Sequence, residues 1–342
     1  MSQTLGRAQG VAIAGASTLL GKELKQVLED RNFPASEISL IDDDVAAGTL
    51  SEAAGEPTFI QAVTPESFEN KRFVFFAGGD AFTASYYETA LKAGATVIEL
   101  TGGIPASAHP FVWIPSLDRA LPPPSVSPAP PGALYRAPGA GAIIGVTVAA
   151  ALKDLSPTRI AILFFPPVSE AGQPGVDELE GQTTNLLSFR GIERQVFDTQ
   201  VAFNLVARYG EGRNPPLHSV RDRLAATIQS YVGGRTVIPA VQMIQAPVFY
   251  GYSFAAYADF ASRPKFGDVE AAFQALRVHV AQKDEPSPDI VTAAGQSEIQ
   301  LARVDEDSSV KTGLWLWGVA DNLRLGATNA VRIAEELLAV PA

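Results

Sequence analysis

Residues 10–30 read GVAIAGASTLLGKELKQVLED, and their order decides the fold. GVAIAGA (10–16) is a short, wholly apolar run of the kind buried on both faces of a parallel sheet. LLGKELKQVLED (19–30) follows with Leu20, Leu24, Val27 and Leu28 at helical spacing, an amphipathic helix with one apolar face. Between them lies GASTLLG (15–21). A glycine turn joining a strand to a helix presents backbone N–H groups and the positive end of the helix dipole, a place where a dinucleotide pyrophosphate can rest. Gly15 can make the tight turn and Gly21 permits close helix–strand packing, with Ala16, Ser17, Thr18, Leu19 and Leu20 lining the loop. The middle glycine of the three-glycine fingerprint is missing and Thr18 stands in its region, so the turn either holds a nucleotide or survives only as a fold-forming element.

Outward from this unit the texture repeats. EISLID (37–42), FVFFAGG (73–79) and TVIELTGG (96–103) read as further strands, with FTASYYETALKAG (82–94) as a helix. Alternating buried strands and helices predict a doubly wound parallel sheet, a Rossmann-like domain over 1–135. Gly78 and Gly79 end a strand beside the nucleotide turn and join the candidate cofactor-binding set. The second strand closes on Asp42, 21 residues past Gly21. A carboxylate there accepts from ribose hydroxyls and repels a 2′-phosphate, which favours NAD over NADP; the alternative is a solvated acidic loop.

LPPPSVSPAPPGA (121–133) carries six prolines and is expected to be an exposed loop near the domain boundary. The second domain is assigned to 136–320: a helix over 142–155, a strand TRIAILFF (158–165), a helix around 173–190, and β-rich runs at 235–260, 297–304 and 313–320. This is an α+β pattern with a mostly antiparallel sheet. The final segment, 321–340, reads as an amphipathic helix that completes the first domain, its Asp321–Asn322 start suited to an N-cap.

The 342 residues hold 26 basic and 37 acidic side chains, a net charge of −11, which argues against nucleic-acid or anionic-membrane surfaces. There is no cysteine, so disulfides, thiolate ligands and cysteine nucleophiles are excluded from the chain. His109, His218 and His279 show no ligand spacing, and no metal is expected. MSQTLGRAQG has no apolar signal core and the longest apolar run, 142–152, is too short to span a bilayer, so a cytoplasmic protein is expected.

GASTLLGKELKQVLEDRNFP, FFAGG, VSEAGQPGVDELEGQT, QVAFNL, APVFYGYS and DNLRLGATNAVRIAE occur in an order that resembles the aspartate-semialdehyde dehydrogenases, a family of amino-acid biosynthesis, and more narrowly its Usg group. The resemblance implies a dimer or tetramer formed through the second domain. It also implies phosphate-dependent oxidation of an aldehyde through a thiolate, a histidine that moves protons, a glutamine and a carboxylate-binding arginine. Counting back from ALKDL (151–155) puts the thiolate position at Ile143 or within a residue or two. The histidine of a GHS turn becomes Tyr252 in GYS, and the glutamine becomes Pro166 in PPVSEAG. Ser169 is kept, but a bulky anion, Glu170, follows it. The family's SSAFR segment becomes LTGGIP (100–105), without its arginine; Arg208, Arg221 and Arg223 are loose candidates for the substrate arginine.

Hydrocarbon at Ile143 cannot add to an aldehyde, and the alcohol of nearby Thr147 is far less acidic than a thiol. The reading that follows is a pseudoenzyme: a homodimer that binds an NAD-type nucleotide in a structural or regulatory role, with an unknown protein or small-molecule partner. The alternative is an active NAD(P)-dependent oxidoreductase without cysteine chemistry, with Tyr252 or Tyr135 as acid and Glu170 as base.

Overall fold

β1 (Gln9–Ala14) is completely buried over Val11–Ala14, and α1 (Leu19–Asp30) follows after a four-residue turn. The structure, a computed structural model, describes residues 9–53, 56–122, 133–213 and 215–339. α1 buries Leu24, Val27 and Leu28, each worth about 2 kcal/mol of transfer free energy. The chain then adds β2 (Ala35–Asp42), β3 (Phe73–Phe76), α2 (Asp80–Lys92), β4 (Thr96–Glu99) and β5 (Leu134–Arg136). These strands form a parallel seven-stranded sheet in the order 61–62, β2, β1, β3, β4, β5, 111–112. β2 and β3 flank β1 on opposite sides, so the strand order reverses at β1, and the glycine turn sits at that switch point.

The chain divides into two units, and the first comprises 1–115, 123–139 and 326–342. Its division from the second falls at Gly139/Ala140 and Leu325/Gly326, a few residues past the boundaries expected at 135 and 321, and 116–122 joins the second unit. One face of the first unit's sheet is covered by α1 and by the later turns of the last helix through Ala327, Ala330, Val331 and Ala334. Most of the proline-rich stretch (123–132) lies outside the described residues.

The second unit begins with α3 (Ala140–Leu152), all thirteen residues of which are buried, a helix without a solvent face. β6 (Pro157–Phe165), α4 (Gly172–Leu187), α5 (Leu217–Val232), β7 (Ala240–Met243), β8 (Tyr252–Phe260), α6 (Phe266–Gln274) and β9 (Gly313–Ala320) follow. α3 packs against α5, α6 and β6. The sheet runs β7, β6, β8, β9, 300–301, 279–280; β6/β8 and β8/β9 are antiparallel, whereas β6/β7 are parallel. Along β8, Tyr252, Phe254, Ala256, Ala258 and Phe260 turn to the core and the intervening residues do not. The expected β-run 235–260 is thus two strands separated by a turn-rich segment, and 297–304 is a strand only at Gln300–Leu301. α7 (Asn322–Ala339) ends the chain's regular structure. Asp321 Oδ1 accepts from the N–H groups of Leu323 and Arg324, so of the Asp321–Asn322 start it is Asp321 that caps the helix.

Candidate functional site

The nucleotide turn of the first unit is built by contact between two loops. Gly15 has φ +93°, and a β-carbon there would stand 2.1 Å from Gly78 N, so no other residue fits. At Gly21 a β-carbon would meet Gly15 O at 2.2 Å. Thr18 is the N-cap of α1: its Oγ1 accepts from Gly21 N at 2.9 Å and lies within donor reach of Gly15 O (2.8 Å) and Ala77 O (3.0 Å). A threonine in place of the middle glycine therefore ties the β1–α1 turn to the β3–α2 turn. Ser17, Leu19 and Leu20 are half-buried around it, Ala16 is buried, and Gly79 is exposed with open space beside it.

Asp42 is buried at 5% exposure, and its carboxylate turns back onto the loop. Oδ2 accepts from Ser17 N at 2.7 Å and Oδ1 from Asp43 N at 2.9 Å. Both oxygens thus already have a backbone donor, a placement the ribose reading of the sequence did not contain. On the same unit, the LTGG turn after β4 is pinned from below. Glu99 is fully buried; its Oε1 accepts from Gly102 N (2.9 Å) and Ile104 N (2.7 Å), and its Oε2 from Arg136 Nε (2.7 Å). Tyr135 belongs to the core, packed between Phe111 and Trp113 with ring centroids 5.9 Å from each, so it is placed as a structural aromatic.

In the second unit, Tyr252 meets the start of α3, and Ser169 and Glu170 meet the Gly251 turn before it through Asn322. Tyr252 opens β8 and is 3% exposed, its ring edge-on to Phe164 at 5.7 Å. A β-carbon at Gly141 would lie 3.0 Å from the Tyr252 hydroxyl oxygen. Ile143, two residues on, is turned about 200° around the helix axis from Gly141 and is buried. The helix position that faces Tyr252 is therefore Gly141, not Ile143. Thr147 Oγ1 donates to Ile143 O at 2.7 Å and serves the helix itself.

Asn322, the first residue of α7, knits the surrounding turns together. Its Oδ1 accepts from Gly251 N at 3.1 Å, and its Nδ2 donates to Ser169 Oγ (3.2 Å) and to Glu170 Oε1 (3.0 Å). Glu170 is open to solvent yet has protein packed closely around it; that desolvation raises its carboxyl above the usual range, and the Asn322 bond partly offsets this. Burial holds the Tyr252 phenol well above its ordinary value, and the charge of Glu170 and then Tyr209 push the same way. Tyr209 is raised too, chiefly by burial, and its hydroxyl donates to Gln245 Oε1 at 2.7 Å.

Pro166 is buried and contributes a carbonyl that accepts from Gln245 Nε2 at 2.8 Å; the Gln245 amide is engaged at both ends and holds the loop. Of the candidate arginines, Arg208 and Arg223 are exposed and Arg221 pairs with neighbouring Asp222 at 2.7 Å. The cation beside the site is Arg213, 6.0 Å over the Tyr209 ring. Asn322, Tyr209, Arg213 and Gln245 were not singled out from the sequence. For Asn322 the signal was present in DNLRLG, read only as a helix start. No group of three or more His, Cys, Asp or Glu side chains among the described residues could hold a metal ion, and no described helix is long and apolar enough to cross a membrane.

Fold and site together define a two-domain protein of the dehydrogenase type, with a Rossmann-like nucleotide domain and a mixed-sheet second domain. The semialdehyde dehydrogenase NAD binding domain matches residues 10–119, and the semialdehyde dehydrogenase dimerisation domain matches 150–325. The chain belongs to the semialdehyde dehydrogenase family. It is 30% identical to a USG-1 protein homolog of Pseudomonas aeruginosa over 341 residues, covering 99% of each chain. With an aspartate-semialdehyde dehydrogenase of Rickettsia bellii it shares 26% over 336 residues, 96% of this chain and 97% of the relative. A solved structure of a probable aspartate-semialdehyde dehydrogenase from Pseudomonas aeruginosa superposes with a TM-score of 0.85 at 29% identity, over 97% of this chain and 98% of the other.

Proposed function

We propose that this chain is a homodimeric family member that binds an NAD-type nucleotide and does not carry out phosphate-dependent semialdehyde oxidation, acting instead in a structural or regulatory role. The observation that carries the reading is the pairing of Gly141 with Tyr252 in a chain without cysteine. Acyl transfer through a covalent intermediate needs a nucleophile and a base within hydrogen-bond reach. Here one partner has no side chain, and the other is a phenol held in its protonated form. Removing a nucleophile alone can cost about 10⁶ in turnover.

Nucleotide binding is supported by the switch-point turn. The N–H groups of Leu19 and Leu20 stand in the first turn of α1, where no intrahelical acceptor exists. Preference for NAD over NADP rests on the negative charge of Asp42 beside that turn. Dimerisation through the second unit is supported by the uncovered face of its sheet, where Trp315 and Trp317 remain 47% and 38% exposed. The test is an assay of aspartate semialdehyde with phosphate and either cofactor, run beside a fluorescence titration with NAD and NADP. No turnover with saturable NAD binding is expected; turnover lost on Tyr252→Phe would overturn the reading.

One observation favours a second reading, an oxidoreductase with Tyr252 as acid and Glu170 as base: the charge of Glu170 acts on Tyr252, and desolvation raises Glu170's own carboxyl above its usual range. It requires NAD reduction by an alcohol or aldehyde substrate, or NADH oxidation by a ketone, that Glu170→Gln abolishes.

A further inference from the structure

At the far edge of the second unit's sheet lies a polar recess that the proposed function does not use. The strands 279–280 and 300–301 pair in parallel, with His279 opposite Gln300. Val278, Val280, Ile299 and Leu301 are buried, so the alternating residues Arg277, His279, Glu298 and Gln300 stand together on the other face. With Gln296 and Val278 they line a cavity of about 480 Å³, a size that takes a small molecule.

The charges in this recess do not neutralise one another. His279 Nε2 pairs with Glu285 at 3.2 Å. Arg277 and Glu298 stand opposite each other by register, two residues before the His279–Gln300 pair. Neither makes an ion pair or a side-chain hydrogen bond with a described residue. Opposite charges at facing strand positions ordinarily join. Here Arg277 takes φ +62°, a left-handed backbone sparsely used by long side chains, which carries it out of strand geometry. A cation and an anion are left on different walls of one open space.

Those walls are held by backbone. His279 N donates to Ile299 O at 2.9 Å and Gln296 N to Ala293 O at 3.0 Å. Gly295 N donates to Asp321 Oδ2 at 2.9 Å, which ties the turn before Gln296 to the start of α7. A frame already ordered lowers the entropy a ligand must lose to bind.

Charge decides the ligand. An anion alone meets Glu298, and a cation alone meets Arg277; a molecule with both signs a few bonds apart satisfies the two together. The guanidinium fork suits a carboxylate through two parallel donors, and a glutamate carboxylate accepts from an ammonium. The Gln296 amide, which makes no side-chain hydrogen bond with a described residue, offers a donor and an acceptor to a polar side chain. We propose that this recess binds a small polar α-amino acid as its zwitterion, with the carboxylate on Arg277 and the ammonium on Glu298. The site shares no residue with the Tyr252, Glu170 and Asn322 cluster and stands whether or not the chain oxidises a semialdehyde.

The experiment uses the full chain and L-serine, beside N-acetyl-L-serine, which lacks the ammonium, and L-serinamide, which lacks the carboxylate. Binding at neutral pH is followed by calorimetry and by methyl NMR, with Val278 in the recess as the local reporter. L-Serine is expected to bind in the millimolar range, about three- to fivefold more tightly than either derivative, the scale of one exposed charge contact. Glu298→Gln should weaken L-serine and L-serinamide by about three- to fivefold without weakening N-acetyl-L-serine. Arg277→Gln should weaken L-serine and N-acetyl-L-serine by a similar factor without weakening L-serinamide. Both positions are exposed, so both variants should melt as the parent does. Either derivative binding as tightly as L-serine, or an unchanged L-serine affinity in either variant, overturns the site. So does the absence of L-serine binding at millimolar concentration, or binding that leaves the Val278 methyls unmoved.

Discussion

The hydroxyl of Tyr252 lies so close to Gly141 that a β-carbon on the helix would stand 3.0 Å from it, tighter than ordinary van der Waals contact. Leu224 Cδ1 closes the same space at 3.3 Å. Absence of a side chain at 141 and presence of a phenol at 252 are therefore one packing solution, not two independent replacements. In an open helix, glycine to alanine stabilises by about 0.5–1 kcal/mol. Here the phenol, its ring fixed against Phe164, cannot yield, and Gly141→Ala is expected to destabilise by about 1 kcal/mol. In a Tyr252→Phe background most of that cost should vanish, a coupling of about 0.5–1.5 kcal/mol in a double-mutant cycle read by urea unfolding. Additive effects would show that the hydroxyl does not press on the helix.

Glu170 and Tyr252 make stability depend on pH with a definite sign. Desolvation raises both groups in the folded protein relative to the unfolded chain, Tyr252 by burial and solvent-facing Glu170 by the protein packed around it. Between the unfolded and folded values the native state binds more protons than the unfolded one, so stability falls as pH rises through that interval. For Glu170 the interval begins near 4.3, the value for an unfolded glutamate, and extends upward. Glu170→Gln removes this slope, so its stability relative to the parent should improve as pH rises from mildly acidic to neutral, as read by thermal melts across pH. For Tyr252 the interval lies above about 10. A spectrophotometric phenol titration of the native protein should show Tyr252 and Tyr209 still protonated when exposed tyrosines have ionised, and Tyr252→Phe should remove one late-titrating group.

The first domain was legible because local signals and tertiary structure agree there. α1 begins and ends where the apolar spacing of Leu24, Val27 and Leu28 says it should, and the glycine turn lies where strand order reverses. The second domain was read less completely. α5 exposes most of its surface and α6 is only nine residues long, so neither carries a strong helical stripe. The site was half legible: Tyr252, Glu170, Ser169 and Pro166 fall on motifs. Asn322 lies 152 residues from Glu170 and Gln245 lies 79 from Pro166, separations that no local pattern reports. Counting from ALKDL placed the thiolate position at Ile143 or within a residue or two and no more finely, because two residues around a helix reverse the direction a side chain faces and spacing alone does not fix that register.

Asp42 makes two separable predictions. Its bond to Ser17 N holds the nucleotide turn, so Asp42→Ala should lower stability by about 1 kcal/mol whatever binds there. If its charge also sets cofactor choice, the same variant should narrow the preference for NAD over NADP by about tenfold in a fluorescence titration. Lowered stability with an unchanged ratio would confine Asp42 to the loop.

The uncovered sheet face of the second unit carries Tyr257 tilted against Trp315 at 4.9 Å and Phe165 beside Trp317 at 6.3 Å. Leu163, Val241, Ala255 and Tyr257 line a shallow recess of about 250 Å³ against Trp315. Aromatic side chains standing out from a sheet mark an association surface. Trp315→Lys should shift the protein from dimer to monomer in analytical ultracentrifugation. In the parent, dilution through the dissociation range should move tryptophan emission to longer wavelength as Trp315 and Trp317 meet water. A dimer that survives Trp315→Lys would place the interface elsewhere.

Glu99 and Arg136 supply the strongest stability prediction. Glu99 is fully buried with three donors on its carboxylate, while Arg136 keeps about a quarter of its side chain exposed and also donates to Ile104 O. Arg136→Met leaves the carboxylate buried with two backbone N–H groups and no cation, whereas Glu99→Gln leaves a guanidinium that can reach water. The first should therefore cost more, about 3 kcal/mol. The second should cost roughly 1–2 kcal/mol, chiefly through the amide N–H₂ that would face a backbone donor in the LTGG turn. Urea unfolding of the two variants and of the double variant separates these terms. The double variant should be less destabilised than the sum of the singles, because removing the acid also removes the buried charge that Arg136→Met leaves unpaired. Equal costs for the two single variants would mean that the carboxylate reaches solvent when its cation is lost, and that the turn is held by its backbone alone.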